Sequence, residues 1–187
     1  RSYWQTITLE NGENCWSIGV DQILSGQLQQ ALQTFNTPLH KDHEDARTYV
    51  IAGLLADRLK NTAQRDSVFE GIQSKYDSYR TIPRLVNLFQ NALKDPGSFK
   101  WNSYSFQELV DEMEDYDIPF YYYAAGEFLS LHDQPELAHQ YLQCAATSYY
   151  VQDRSCLLAT HALRQLKVPV GDSRLESHPE DRIAAIR

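Results

Sequence analysis

The sequence predicts an all-α fold in which antiparallel helix pairs stack side by side as an α-solenoid. Gly19 and Gly53 have the same separation along the chain as Phe35 and Phe69. Their shared period of about 34 residues is typical of helix–turn–helix repeats. Apolar residues at helical spacing, in segments of roughly 12 to 15 residues, also alternate with short turns along the chain. We therefore predict about four repeats and a capping helix.

The helical region is expected to occupy residues 15–168. Before it, residues 1–14 contain a short β-branched stretch and a turn signal at Asn11, which predict an extended arm. After it, residues 169–187 read as a polar tail. A Pro-Gly sequence within 95–103 is the strongest break in the chain, so the array is expected to be interrupted there.

Five helices are predicted before this break, and their ends are marked by Gly, Asn and Pro. Gly26 ends the first helix, Pro38 lies beyond the second, and Asn61 can cap the fourth. Pro83 suits the first turn of the fifth. In chain order the helices are residues 16–24, a segment with Leu28, Leu32 and Phe35, residues 44–59, a segment with Val68, Phe69, Ile72 and Tyr76, and residues 83–93.

Four more helices are predicted after the break. They are a short acidic helix around Leu109 and Met113, a helix that starts at Pro119, its partner at 137–149, and a final helix at 153–166. Within the second of these, Tyr121, Tyr122 and Tyr123 are consecutive. One of them is expected to pack between helices and the others to face outward, where tyrosine suits an interface.

At three places the residues resemble the tetratricopeptide repeat, whose pattern is bulky–x–x–Leu–Gly–x–x–Tyr followed by Ala–x–x–x–Phe. The best copy has Tyr122, Ala125, Gly126, Leu129, Ala138, Leu142 and Ala145. The first copy in chain order has Ile18, Gly19, Ala31 and Phe35. The second has Tyr49, Ala52, Gly53, Ala56 and Phe69, with Arg65 in place of the expected Ala. The repeat that follows the second copy along the chain is degenerate, since the position one period beyond Gly53 is Asn87. The resemblance covers about residues 13–167. It implies that small residues let paired helices approach closely, while bulky ones fill the layer between repeats.

Composition and charge argue against several functional classes. The formal net charge of −8 does not suit general nucleic-acid binding, which depends on cationic contacts to phosphate. No apolar run approaches the ~18 residues of a membrane span. Three cysteines without a CxxC spacing favour a reducing compartment, so a cytoplasmic location is expected. No signal peptide is visible, and Arg1 at the first position suggests a processed chain or an excerpt.

The sequence predicts no enzyme, no metal and no cofactor. It contains no G-x-S-x-G elbow, phosphate-binding loop or dinucleotide fingerprint. His40 and His43 are better explained as part of a polar turn, and so is His132-Asp133, although that pair resembles the paired ligands of some helical metal-dependent phosphohydrolases. A helical metal-dependent hydrolase built on these four residues remains an alternative.

The resemblance also implies a binding surface, because the first helix of each pair lines the concave groove in tetratricopeptide arrays. By register, the groove residues are Arg47, Leu54, Asp57, Arg58, Arg84, Asn91, Tyr123, Glu127, His161 and Arg164. Arginine can bind a carboxylate through two parallel hydrogen bonds. We therefore expect a non-catalytic scaffold or adaptor that binds a protein or peptide, with acidic residues in the ligand. A regulatory or oligomerisation module of a larger chain, acting through self-association, is the other open alternative.

Overall fold

The computed structural model describes residues 12–36, 46–76, 80–94, 99–113, 117–148 and 154–166, and in these ranges the chain is all-α. Nine helices and no strand occur there, which confirms that the fold is all-α. They are α1 (Gly12–Leu24), α2 (Leu28–Asn36), α3 (Ala46–Arg58), α4 (Thr62–Lys75), α5 (Thr81–Leu93), α6 (Ser103–Asp111), α7 (Ile118–Leu131), α8 (Pro135–Ala146) and α9 (Arg154–Gln165).

Most predicted helix ends agree with the structure to within a few residues. The first helix starts earlier than expected, at Gly12, so the end of the predicted arm is helical. The rest of the arm and the predicted tail at 169–187 lie outside the described residues. Asn61 caps α4 as predicted, since its Oδ1 accepts a hydrogen bond of 3.2 Å from the backbone N–H of Gln64. Asn102 caps α6 in the same way, with Ser105 as the donor.

The chain divides into two compact units, Arg1–Ser98 and Phe99–Arg187. In the first unit each helix from α1 to α5 packs on the next, and α3 also packs on α5. In the second, α7, α8 and α9 contact one another. The boundary lies inside the segment in which the sequence places a break.

A glycine on the first helix of three pairs lies against a bulky side chain on the second helix, at the same spacing along the chain in each pair. The contacts join Gly19 to Phe35, Gly53 to Phe69 and Gly126 to Leu142. At Gly53 the approach is so close that an added Cβ would lie 2.2 Å from Cε1 of Phe69. Only glycine permits this distance between the helices. On α5 the corresponding position is Asn87, and its side chain is exposed.

The turns inside these three pairs also share one geometry. Gly26, Lys60 and Asp133 each adopt a left-handed backbone, with φ of 75°, 60° and 57°. The next N–H in each turn donates to a carbonyl in the last turn of the preceding helix: Gln27 to Gln22, Asn61 to Ala56 and Gln134 to Leu129. This is the hydrogen bond of a Schellman helix end. The repeat visible in the sequence is therefore present in the backbone of the turns as well.

Replacing Lys60 with glycine is expected to raise the free energy of unfolding by about 0.5–1 kcal/mol, because a left-handed backbone is costly for any residue with a Cβ. The Lys60 side chain is exposed, so little packing is lost. The matched variant Gly26→Ala should lower the stability by a similar amount. Urea unfolding followed by circular dichroism measures both. A loss of stability in Lys60→Gly would contradict the assigned turn.

Aromatic side chains form the core of the second unit. Phe106 of α6 stacks on Tyr141 with ring centroids 4.9 Å apart, and Tyr122 meets both rings edge-on. The indole N–H of Trp101 donates to the Tyr141 hydroxyl at 3.2 Å. The expectation for the three consecutive tyrosines was wrong, since Tyr121, Tyr122 and Tyr123 are all at most 4% exposed. Every residue from Pro119 to Leu129 is buried, so α7 has no outward face in that stretch.

Candidate functional site

The ten residues predicted to line a groove lie on four helices. They are Arg47, Leu54, Asp57 and Arg58 on α3, Arg84 and Asn91 on α5, Tyr123 and Glu127 on α7, and His161 and Arg164 on α9. Within the first unit α3 packs on α5, and within the second α7 packs on α9. The structure therefore places the residues of each unit on two adjacent helices.

Four of the ten side chains are buried. Leu54, Asp57, Tyr123 and Glu127 are each at most 5% exposed. Asn91 and Arg164 are exposed, while Arg47, Arg58, Arg84 and His161 are partly accessible. In the first unit, the accessible side chains among the ten predicted groove residues are therefore three arginines and one asparagine. The buried members shape the packing beneath it.

Asp57 takes part in a largely buried ion pair of the first unit. Its Oδ1 lies 2.7 Å from Nη1 of Arg65, and the two side chains are only 7% and 11% exposed. Arg65 also contacts Asp66 at 2.8 Å. Although burial alone would lower the pKa of Arg65, the two carboxylates outweigh it and hold the pKa above its ordinary value. The arginine at the expected Ala position is thus the partner of a buried carboxylate on α3.

Two of the accessible residues are hydrogen-bonded to residues three or four positions further along the chain. Nζ of Lys94 donates to Oδ1 of Asn91 at 2.6 Å. On α9, Nε2 of His161 lies 2.7 Å from the amide nitrogen of Gln165. Both contacts are at exposed helix ends, where water competes with them, so a ligand can replace either at little cost.

A cleft of about 220 Å³ opens on the surface of the first unit, beside α4. We call it the Tyr49 cleft. Its described lining comes from α2, α3 and α4 and consists of Asn36, Tyr49, Ser67, Val68, Gly71, Ile72, Lys75 and Tyr76. Val68 is partly exposed and Ile72 is only 1% exposed, and a Cβ added at Gly71 would meet no atom within 4 Å. Space is therefore present where the α4 backbone lines the cleft.

Each polar side chain of the Tyr49 cleft can donate a hydrogen bond, and among the described lining residues only Lys75 is charged. Nζ of Lys75 lies 5.6 Å from the centroid of the Tyr49 ring and 5.9 Å from that of Tyr76, within the range of a cation–π contact. Burial raises the pKa of the Tyr49 hydroxyl, and the nearby Tyr76 adds to the shift. The Tyr49 hydroxyl therefore keeps its proton at neutral pH. Among the described lining residues, none carries a carboxylate.

Sequence reasoning missed this cleft because it assigned its residues to the apolar faces of α3 and α4. Val68, Ile72 and Tyr76 fit a helical packing stripe, and Tyr49 fits the bulky position of a repeat. The usable signal was Gly71, because a glycine inside a helix costs stability and needs a local reason. Here Gly71 leaves open a space beside α4 that any larger side chain at this position would fill.

The residues of the alternative hydrolase do not form one described cluster. The His132 ring lies against Phe99 and Phe128, with centroids 5.5 and 4.5 Å away, and Asp133 occupies the left-handed turn position. His40 and His43 lie outside the described residues. Within the described ranges, no group of three or more His, Cys, Asp or Glu side chains is placed to hold a metal ion.

No helix in the described part of the chain is both long and apolar enough to cross a membrane. Comparison with known proteins gives no match to any protein-family model, to any curated protein or to any solved structure.

Proposed function

We propose that the chain is a tetratricopeptide-like α-solenoid module that binds an acidic segment of a partner protein without catalysis. The observation that supports this most is the recurrence of one helix-pair geometry, with the same glycine contact and the same turn in three pairs. Stacked pairs of this kind expose extended surfaces that hold peptides. A cytoplasmic setting fits three cysteines that are all thiols, two of them buried.

The first unit carries three of the four arginines of the proposed groove. Arg47 and Arg58 lie near the two ends of α3, and Arg84 lies on the adjacent helix α5. All three are partly accessible. Guanidinium groups suit carboxylate ligands because they offer paired donors in a planar fork.

The test measures binding of acidic and basic peptides of equal length and apolar content by fluorescence anisotropy. The intact protein is expected to bind the acidic peptides, with affinity that falls as salt rises. The double variant Arg58→Glu/Arg84→Glu should weaken binding roughly tenfold or more. The control Lys60→Glu/Lys100→Glu makes the same change in charge at two exposed lysines and should leave binding near that of the intact protein.

Circular dichroism melts establish that each variant is folded, and Arg58→Gln/Arg84→Gln replaces the charge-reversed form if it is not. Equal loss in the arginine and lysine variants would show a nonspecific charge effect and contradict the groove. A preference for basic peptides would contradict the proposed ligand. If no peptide binds and the protein instead associates with itself as its concentration rises, the oligomerisation alternative replaces this proposal.

A further inference from the structure

We infer that the acidic ligand of the proposed groove carries a phosphorylated serine or threonine, and that one face of α5 binds the phosphate group. The inference rests on the proposed function and names the chemistry of its ligand. The residues of this face are spaced by four, three, four and three positions along α5 and its two ends. We call them the α5 polar face: Arg80, Arg84, Asn87, Asn91 and Lys94.

The α5 polar face is accessible along the whole helix. Four of its five side chains are exposed, and that of Arg84 is partly accessible. Other residues of α5, including Leu85, Val86 and Phe89, are buried. At about 1.5 Å per residue the face is about 21 Å long, which an extended peptide of roughly six residues spans.

The chemistry of the α5 polar face favours an anion. The sequence from Arg80 to Lys94 contains three cations and no Asp or Glu. Nζ of Lys94 donates to Oδ1 of Asn91 at 2.6 Å, so this amide oxygen is engaged by a cation of the same face. The amide N–H groups of Asn91 are donors, as are the guanidinium and ammonium groups beside them.

Two arginines one turn apart favour a phosphate over a carboxylate. The backbone N–H of Arg84 donates to the carbonyl of Arg80 at 3.3 Å, which places the two residues in one helical turn and on one side of it. A phosphorylated side chain carries a charge of about −1.5 to −2 at pH 7 and several acceptor oxygens, whereas a carboxylate carries one charge. A phosphate can therefore engage both guanidinium groups, while a carboxylate balances only one of them.

The position of Asn87 explains why this side of α5 is open. In three other helices the corresponding residue is a glycine that lies against the second helix of its pair. Asn87 is exposed, so in the described ranges no helix closes this side of α5 in the same way. A segment of a partner protein can therefore reach the α5 polar face.

The test compares three peptides of equal length by fluorescence anisotropy. They share two aspartates and differ at one central residue, which is serine, glutamate or phosphoserine. Both ends are blocked, so no terminal carboxylate contributes. The phosphoserine peptide is expected to bind roughly tenfold more tightly than the glutamate peptide, because its phosphate pairs with two guanidinium groups. The serine peptide should bind most weakly.

The preference for phosphoserine should also depend on pH. The second pKa of the phosphate is about 6, so the group is mainly a dianion at neutral pH and becomes a monoanion as the pH falls below this value. At about pH 5 the phosphoserine and glutamate peptides should therefore bind almost equally. Binding of the glutamate peptide itself should change much less over this range.

Two variants locate the phosphate. Arg80→Gln/Arg84→Gln should abolish the preference for phosphoserine over glutamate, whereas the matched Lys60→Gln/Lys100→Gln should retain it. Both variants lose two positive charges at exposed or partly accessible residues. Circular dichroism melts check that they are folded. Arg80→Lys/Arg84→Lys keeps the charge without the paired donors and should show an intermediate preference, and it replaces the glutamine variant if that one does not fold.

The inference is overturned, while the groove stands, if the glutamate and phosphoserine peptides bind equally at neutral pH and Arg58→Glu/Arg84→Glu weakens both. It is also overturned if the preference survives in Arg80→Gln/Arg84→Gln and is lost in Arg47→Gln/Arg58→Gln, because the phosphate then binds on α3. An oligothymidylate that binds more tightly than the phosphoserine peptide would identify nucleic acid as the ligand instead. If none of the three peptides binds, the inference and the proposed function both fail.

Discussion

Replacing Arg65 with alanine is expected to lower the free energy of unfolding by about 3 kcal/mol, among the largest effects of any single change considered for this protein. The guanidinium lies 2.7 Å from the carboxylate of Asp57, and both side chains are almost entirely buried. Removing the cation takes away the ion pair that offsets the desolvation of this buried carboxylate. Urea unfolding at neutral pH measures the loss.

The repeat offers a matched rescue for this variant. In the α1–α2 pair, Ile23 and Ala31 occupy the positions, one period earlier, that correspond to Asp57 and Arg65, and both are buried. The double variant Asp57→Ile/Arg65→Ala should therefore be about as stable as the intact protein, since apolar replacement of a buried ion pair is often neutral or stabilising. If Arg65→Ala alone is harmless, or if the double variant is as unstable as the single one, the buried pair is not what stabilises this position.

Gly53→Ala is expected to lower the free energy of unfolding by about 2 kcal/mol, although alanine has a higher helix propensity than glycine. The new Cβ would lie 2.2 Å from Cε1 of Phe69, and Phe69 itself packs on Phe89 with ring centroids 5.9 Å apart. The ring therefore cannot move aside without disturbing a second contact. The methyl group forces α3 and α4 apart, and this cost exceeds the gain in helix propensity.

The control for this variant is Gly71→Ala on α4. A Cβ at Gly71 meets nothing within 4 Å, so only the propensity term remains and the protein should gain about 1 kcal/mol. A double-mutant cycle tests the named contact: Phe69→Leu should cost less in the Gly53→Ala background than in the intact protein. Additive effects, or equal effects of Gly53→Ala and Gly71→Ala, would contradict the close approach of the two helices.

Part of the fold could be predicted because it depends on short-range chemistry. Gly26 ends a helix and Asn61 caps one for reasons that involve only their own turns, and the sequence shows both. The period that relates Gly19 to Gly53 could also be read directly, since a repeated close contact needs the same small residue each time. The structure adds that each of these glycines contacts the bulky residue on the second helix of its own pair.

Other features could not be predicted, since they depend on which neighbouring side chains and helices pack against a given helix. Arg65 looks like a mismatch in a repeat until Asp57 is seen beside it. Tyr121 and Tyr123 look outward-facing by periodicity, yet they are buried with the rest of α7. A helical pattern identifies faces relative to one another, but the number of faces that are covered depends on the neighbouring helices.

The sequence by itself determined the helical class, most helix ends and the periodic relation between pairs, because these follow from local backbone preferences and from a contact repeated at one spacing. Only the tertiary structure decided which predicted groove residues are accessible, which charges are paired inside, and that Lys75 lies over two tyrosine rings beside an open cleft. Those facts depend on distances between side chains far apart in the chain, and such distances are set by the packing of helices on one another.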